Sequence, residues 1–350
     1  METRSLSLIV CTLGRPLQIR ALLQSILQQT SPPAEILIVD ASSDSKTEQV
    51  VTLERNDTGD EWIKYFRVAS QDRGLTRQRN HGIQRAKGEI IVFLDDDTIP
   101  EPDYFAELAA CFDRHPDALG VGGYIVNEVQ WHRASPGHRL SGAVFRAGEW
   151  ERREDYRWRL RKILKLAGTL SPGWMPPSGH GRPIGFLPPD GADYEVEFVM
   201  GGASAWRRDV FARHQFSEFF EGYGLYEDMD FCIRAAGEGP LFVSTRARLA
   251  HHLAETSRPN NFRYGEMVVR NGWFVWRRRW PQPSLMDRAR WWSTTMLLAF
   301  CRLVDVRGPS RVEGVKEALG RLYGALRVLG SSPLKEIENA PREFAASRSE

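Results

Sequence analysis

Short apolar runs and helical spacings alternate along the first third of the chain. Leu6-Ser7-Leu8-Ile9-Val10-Cys11 is a strand-like run, and Thr12-Leu13-Gly14-Arg15-Pro16 follows it as a loop. From Pro16 the apolar residues Leu17, Leu22, Leu23, Ile26 and Leu27 keep a helical period until Pro32-Pro33. Ile36-Leu37-Ile38-Val39 reads as a second, fully buried strand closing on Asp40, and residues 62–68 alternate as a third. A helix over 74–86 leads through Lys87-Gly88 into a strand over 90–94 and then into Asp95-Asp96-Asp97. Successive strand–helix units predict a parallel sheet with right-handed crossovers, in which ligands bind beyond the carboxyl ends of the strands. Thr12, Asp40 and the aspartate triplet fall at such ends, so polar side chains converge on one edge of the sheet.

Past Asp97 a Pro-bounded helix spans 102–115, and Gly120-Val121-Gly122-Gly123-Tyr124 reads as a strand. The pattern weakens over 131–190, where Gly and Pro are frequent and one basic helix stands out near 155–166; this segment reads as an insertion. Order returns with a Gly-Gly-interrupted strand over 196–206, a helix over 227–236 and a strand over 241–244. Residues 259–329 are mainly helical and a polar tail follows. The expected organisation is an α/β domain over 1–257, carrying the insertion, and a C-terminal helical region over 258–350.

Composition adds two things. With 42% hydrophobic and 26% charged positions among 350 residues, the chain can bury a large core and is not of the disordered class. The formal charge of +2 hides an uneven distribution: 11 Arg/Lys against 5 Asp/Glu over 131–190, and 8 against 2 over 258–290, so each arc nets +6. Those arcs, extended to Trp292, hold nine of the eleven tryptophans, and arginine beside tryptophan is the composition of an interfacial surface. The four cysteines are far apart with no CxxC pair, which predicts reduced core thiols rather than a zinc knuckle or a disulfide framework. The first ten residues lack an apolar leader, and the apolar stretch 291–301 is well short of the ~20 residues of a spanning helix. A cytoplasmic location is expected.

Three adjacent carboxylates at a strand end repel one another, and a divalent cation removes that cost. Mg2+ or Mn2+ takes oxygen ligands and binds through one or two carboxylates plus substrate phosphates, so Asp97 with Asp95 or Asp96 can hold a metal that bridges to a diphosphate. The alternative is an acidic solvated loop. On a helical wheel Arg79 falls on the inward face with Leu75, Gly82, Ile83 and Ala86. A buried guanidinium needs an anion, which a phosphate or Asp97 would supply. Asp40 can accept hydrogen bonds from a base or ribose, or close an Asx turn. Thr12 and Arg15 can contact a nucleotide, with an N-cap as the alternative for Thr12. Glu227-Asp228-Met229-Asp230 opens a helix after a Gly-rich lead-in; its acids suit the helix dipole and also place a general base. Of the adjacent His251 and His252, an extended chain lets at most one reach the metal.

Four motifs in order resemble the family 2 glycosyltransferases: Val10-Cys11-Thr12-Leu13-Gly14-Arg15; Ile38-Val39-Asp40-Ala41-Ser42-Ser43-Asp44; Arg79-Asn80-His81-Gly82-Ile83 with Ala86-Lys87-Gly88; and Phe93-Leu94-Asp95-Asp96-Asp97. Their spacing matches over residues 5–125. Met200-Gly201-Gly202-Ala203-Ser204-Ala205-Trp206 resembles the acceptor-side segment and Glu227-Asp228 the family's Glu-Asp motif, which carries the match to about 257. The resemblance implies a GT-A fold, a mostly parallel central sheet flanked by helices, and an inverting single displacement from a UDP, GDP or dTDP sugar. It implies a nucleotide-sugar-binding half over 1–125 with Thr12, Arg15, Asp40, Arg79, Asp95 and Asp96. Asp97, Asp95 and His251 would hold Mn2+ or Mg2+; Gly201, Gly202, Trp206 and Asp230 would lie on the acceptor side, within 191–257. Asp228, next to Glu227, would be the base for the acceptor hydroxyl. The Gln-x-x-Arg-Trp motif of processive members is absent, which favours transfer of one sugar per encounter.

On a helix over 261–280, Val269, Trp273, Trp276 and Trp280 share a face flanked by Arg270, Arg277, Arg278 and Arg279. Such a helix suits the surface of the inner membrane near a lipid-linked acceptor, or packing against another domain. Two other function classes compete. A nucleotidyltransferase needs a Gly-rich basic loop after the first strand, which Thr12-Leu13-Gly14-Arg15-Pro16 matches poorly. A non-catalytic carbohydrate- or lipid-binding module has no use for both the triplet and Glu227-Asp228. Nucleic acid is not an expected partner, because no base-stacking motif accompanies the basic arcs.

Overall fold

The computed structural model describes residues 4–58, 62–134, 143–220, 222–252, 259–304 and 311–329. The expected polar tail, Glu221 of the Gly-rich lead-in, residues 135–142 of the insertion and the end of the family match at 253–257 lie outside the described residues. The first third follows the predicted alternation: β1 (Leu6–Thr12), α1 (Pro16–Ile26), β2 (Glu35–Asp40), α2 (Lys46–Thr58), β3 (Ile63–Arg67), α3 (Leu75–Ile83) and β4 (Ile90–Asp95). β5 (Thr98–Pro100), α4 (Tyr104–Arg114) and β6 (Gly120–Ile125) continue it. β1 to β4 pair in parallel in the order β4-β1-β2-β3, and the apolar side chains of β1, β2 and β4 are buried on both faces, which explains their unbroken hydrophobic runs.

Beyond β4 the sheet departs from the mostly parallel expectation. The strand expected over 196–206 is two: β10 (Asp193–Val196) lies at the sheet edge, and β11 (Ala203–Arg207) runs antiparallel between β4 and β6. The Gly201-Gly202 turn separates them. The strand expected over 241–244 extends as β12 (Leu241–His251), parallel to β6, with an irregularity between Val243 and Arg248 and with antiparallel neighbours β5 and β10. The full order is β10-β12-β6-β11-β4-β1-β2-β3. β12 delivers His251 beside the turn after β4.

The insertion holds a three-stranded antiparallel sheet, β7 (His132–Arg133), β8 (Val144–Ala147) and β9 (Trp150–Arg153), which its weak pattern did not reveal. The expected basic helix is α5 (Tyr156–Ile163), capped by Asp155 accepting from the Arg157 amide. After β11 comes α6 (Glu227–Ala236), and α7 (Asn261–Arg279), α8 (Leu285–Val304) and α9 (Arg311–Leu329) form the C-terminal helical region. Among the described residues no helix is long and apolar enough to cross a membrane. Cys111, Cys232 and Cys301 are buried and all four thiols are free.

The tryptophan stripe of α7 does not face lipid. Trp273 and Trp276 are buried, and Trp276 stacks on Trp291 of α8 with ring centroids 5.2 Å apart and 15° between planes. Packing against α8 buries most of this apolar face, so of the two readings of the stripe the structure has the packing one; the large apolar side chains that α8 and α9 expose, among them Phe300 and Leu326, lie outside the stripe. Arg278 instead reaches Asp230 of α6 at 2.7 Å and Arg279 pairs with Glu197, so the flanking arginines tie this region to the α/β domain. Trp276→Ala is expected to lower unfolding free energy by about 3–5 kcal/mol, measured in denaturant.

Candidate active site

The loops after β1 and β4 meet through Asp96. Thr12 Oγ1 donates to Asp96 Oδ2 at 2.7 Å, and Arg15 Nη1 reaches Asp96 Oδ1 at 2.7 Å and Asp97 Oδ2 at 3.5 Å. Burial pushes the Asp96 carboxyl up to about 6, with Arg15 and Thr12 opposing it. Asp96 is thereby committed to the first loop, and Asp95 and Asp97 are the members of the triplet that lie beside His251.

Asp95, Asp97 and His251 offer ligand atoms that lie within 4.8 Å of one another. His251 Nε2 stands 3.2 Å from Asp97 Oδ1, and its Nδ1 is 2.7 Å from Glu128 Oε1. A six-coordinate Mn2+ or Mg2+ with ligands near 2.1 Å sets adjacent ligand atoms about 3 Å apart, so this spacing fits. Two carboxylates and an imidazole whose other nitrogen is held by a carboxylate also make a chemically suitable donor set. Bonds to Asp97 and Glu128 hold the imidazole's pKa up, at about 10, against its burial. His252 is exposed, and its backbone amide donates to the Asp97 carbonyl at 2.7 Å, so the histidine at the cluster is His251. A second trio with ligand spacing, Cys111, His115 and Asp193, is an ion-pair node: Arg114 binds the Asp193 carboxylate with both arms of its guanidinium, at 2.7 and 3.0 Å.

The turn before β11 joins this cluster to α6. Asp95 N donates to the Gly202 carbonyl at 3.1 Å, and Gly201 N donates to Asp228 Oδ2 at 3.0 Å. A Cβ at Gly202 would sit 2.1 Å from Asp95 Cγ, and one at Gly201 would sit 2.7 Å from Arg79 Nη1 and 2.9 Å from Asp228 Cβ. The glycine pair, expected on the acceptor side, therefore also abuts Asp95. Asp228 Oδ1 accepts from the Met229 amide at 2.7 Å, and the side chain remains half-buried at the start of α6. The residue before the helix, Tyr226, has φ 73°, a left-handed conformation that costs a non-glycine residue of order 1–3 kcal/mol and recurs where function fixes the backbone.

Arg79 is buried as its wheel position predicts, but its partner is not Asp97. Nη1 binds Glu227 Oε1 at 2.6 Å, and Nη2 lies 3.8 Å from Asp95 Oδ1. The pair spans from α3 to α6 and fixes the two halves of the site against each other. Burial and neighbouring Asp228 push the Glu227 carboxyl up to about 8, and Arg79 holds it down. Glu227 is thus occupied by Arg79, and Asp228 is the more accessible carboxylate of the pair.

Other expected residues lie apart from the cluster. Asp40 is fully buried; its Oδ1 takes the Ser42 amide at 2.8 Å in an Asx turn, and its Oδ2 takes the Tyr65 hydroxyl at 2.8 Å. Asp230, expected on the acceptor side, is fully buried between Arg234 and Arg278. Trp206, expected there too, is buried edge-on against Phe231, with ring centroids 4.8 Å apart, and anchors α6 to the sheet. Two contributors carried little sequence signal. Gln78 donates to the Thr12 and Val39 carbonyls at 3.1 and 2.8 Å and closes the ends of β1 and β2; its position one turn after Leu75 could have revealed it. Glu128, which holds His251, follows β6 with no motif around it.

An α/β sheet with carboxylates gathered at the strand ends, antiparallel β11 beside β4 and an α6 whose first turn is acidic define a GT-A-type fold. The chain belongs to glycosyl transferase family 2, whose model matches residues 7–213. A mannosyltransferase from Pyrobaculum calidifontis, solved with GDP-Man and Mn2+, has a similar fold: TM-score 0.53 at 14% identity, covering 97% of this chain and 84% of that one. A glucosyl-dolichyl phosphate glucuronosyltransferase of Haloferax volcanii is 30% identical over 122 residues, 34% of this chain and 38% of that protein. A GalNAc(5)-diNAcBac-PP-undecaprenol beta-1,3-glucosyltransferase of Campylobacter jejuni is 36% identical over 92 residues, 26% of this chain and 29% of that protein. The matched segments thus span 38% and 29% of the last two relatives, and Asp228 and His251 lie beyond the end of the family match.

Proposed function

We propose that this chain is a metal-dependent, inverting glycosyltransferase that moves one sugar from a nucleoside-diphosphate sugar to an acceptor hydroxyl. The observation that carries the reading is the pairing of Asp95, Asp97 and His251 with Asp228 across the Gly201-Gly202 turn. A divalent cation held by Asp95, Asp97 and His251 would neutralise the donor's diphosphate. Thr12, Arg15 and Asp96 form the wall on the nucleotide side, with Asp40 supporting the base-side loop. The Arg79–Glu227 pair sets Asp228 opposite the donor. Asp228 takes the proton from the acceptor hydroxyl as that oxygen bonds to the anomeric carbon and the bond to the diphosphate breaks. Such an enzyme would act at a cytoplasmic membrane face, and the dolichyl phosphate and PP-undecaprenol in the two relatives' names support a lipid-linked acceptor.

The test is a panel of UDP-, GDP- and dTDP-sugars with Mn2+. One donor is expected to raise the melting temperature and to be hydrolysed slowly to nucleoside diphosphate. Release of pyrophosphate would indicate a nucleotidyltransferase, and no response to any donor would indicate a binding module. A pH dependence follows from His251. Its raised pKa keeps it protonated at neutral pH without metal, and a ligand must be neutral, so metal binding releases a proton. Mn2+ affinity measured calorimetrically is expected to rise by up to about tenfold per pH unit between about pH 6 and 8, and His251→Gln to flatten that slope.

A further inference from the structure

Between the insertion and the C-terminal helices lies a cavity of about 400 Å³. One wall is aromatic, with Trp158, Trp174, Trp276 and Trp291, and another comes from Tyr226 and Met229, which bracket Glu227 and Asp228. Arg161 of α5 lines it and is only 4% exposed. Its Nη2 donates to the His180 carbonyl and its guanidinium lies 4.0 Å from the centre of the Trp158 ring, but its Nε has no hydrogen-bond partner. Among the described residues no carboxylate pairs with Arg161, whereas nearby Arg182 has Glu154 at 3.3 Å and Arg321 has Glu317 at 2.7 Å. Asp155 at the rim is occupied in capping α5. His180 is neutral, because burial and Arg161 push its pKa down to about 3, and its Nε2 lies 3.0 Å from Thr295 Oγ1.

A buried guanidinium without an anion is costly, and folding tolerates it where a ligand completes the pair. The surrounding indole faces favour an apolar chain or ring rather than a bare ion. We propose that this cavity binds an amphipathic phosphate ester, its phosphate on Arg161 and its apolar part against the tryptophans. The cavity is thus the acceptor's anchoring site. That last step rests on the glycosyltransferase reading; the binding chemistry does not. It also gives the arginine and tryptophan enrichment of the insertion a role.

The cavity's four tryptophans supply a readout independent of activity. Farnesyl phosphate, phenyl phosphate, inorganic phosphate and farnesol are titrated in EDTA, so that the metal cluster cannot hold the phosphate, and tryptophan emission is followed. Farnesyl phosphate is expected to bind and shift the emission, with phenyl phosphate weaker and inorganic phosphate and farnesol weaker still. Arg161→Gln is expected to weaken farnesyl phosphate binding about ten- to hundredfold, and Leu298→Trp, which narrows the cavity from α8, to weaken both esters. Protection by nucleotide sugar with Mn2+ should persist in both variants and shows that they are folded. Tighter binding of phenyl than farnesyl phosphate would still support the site and assign it to a soluble aryl phosphate. Equal binding of farnesol, equal binding of inorganic phosphate, or undiminished binding in folded Arg161→Gln would overturn the proposal. Donor protection without ester binding would refute this inference alone; ester binding without response to any donor would refute the transferase reading and leave the site.

Discussion

Asp228→Asn is expected to lower Mn2+-dependent donor hydrolysis, in which water stands in for the acceptor hydroxyl, by about 10²- to 10⁴-fold. Donor affinity, measured by thermal protection, should stay within about threefold, a margin of well under 1.4 kcal/mol. The two readouts separate because Asp228 sits on α6, whereas Thr12, Arg15 and Asp96 belong to the loops after β1 and β4. Asparagine keeps the shape but offers one acceptor oxygen. The aspartate's two oxygens receive the Gly201 and Met229 amides separately, so the variant also loses one hydrogen bond, worth about 1 kcal/mol of stability. Glu227→Gln should behave differently. Removing the carboxylate that holds buried Arg79 leaves the guanidinium with only the more distant Asp95, 3.8 Å away, so stability and activity should fall together. Loss of donor binding in Asp228→Asn would make Asp228 a ligand of the donor rather than the base.

The parts of this site that the sequence revealed are those carried by local pattern. Strand ends place Thr12, Asp40 and Asp95, and one turn of helix places Arg79 inward, because burial and periodicity are written within a few residues. Partnerships are not. Glu227 lies 148 residues from Arg79, and a helical wheel states that an anion is needed without naming it. Strand direction is equally silent: β11 is as buried as β4, and burial alone does not tell an antiparallel neighbour from a parallel one. The short strands of the insertion are partly exposed and lack alternation, so they left no period to read. The tryptophan stripe of α7 illustrates the same limit, since one amphipathic face is satisfied alike by a bilayer or by α8, and only the fold decides.

Gly202→Ala should abolish the metal dependence of donor binding while leaving most of the fold intact. A methyl group there would overlap Asp95, lying 2.1 Å from both Cγ and Oδ2, a separation no packing tolerates. Backbone relief is restricted, because Gly202 accepts from Asp95 N and the next residues enter β11 between β4 and β6. The Asp95 side chain is 43% exposed and can swing outward, so the strain is released by moving the carboxylate rather than by unfolding. The expected loss in stability is about 1–3 kcal/mol. The expected loss in Mn2+ affinity, read by calorimetry, is at least about tenfold, as for a displaced ligand or its support. Asp97→Asn provides the comparison: it removes a ligand without crowding and should give a similar loss of metal affinity with less destabilisation. If Gly202→Ala bound Mn2+ as tightly as the parent, Asp95 would not be a ligand, and the cluster would reduce to Asp97 and His251.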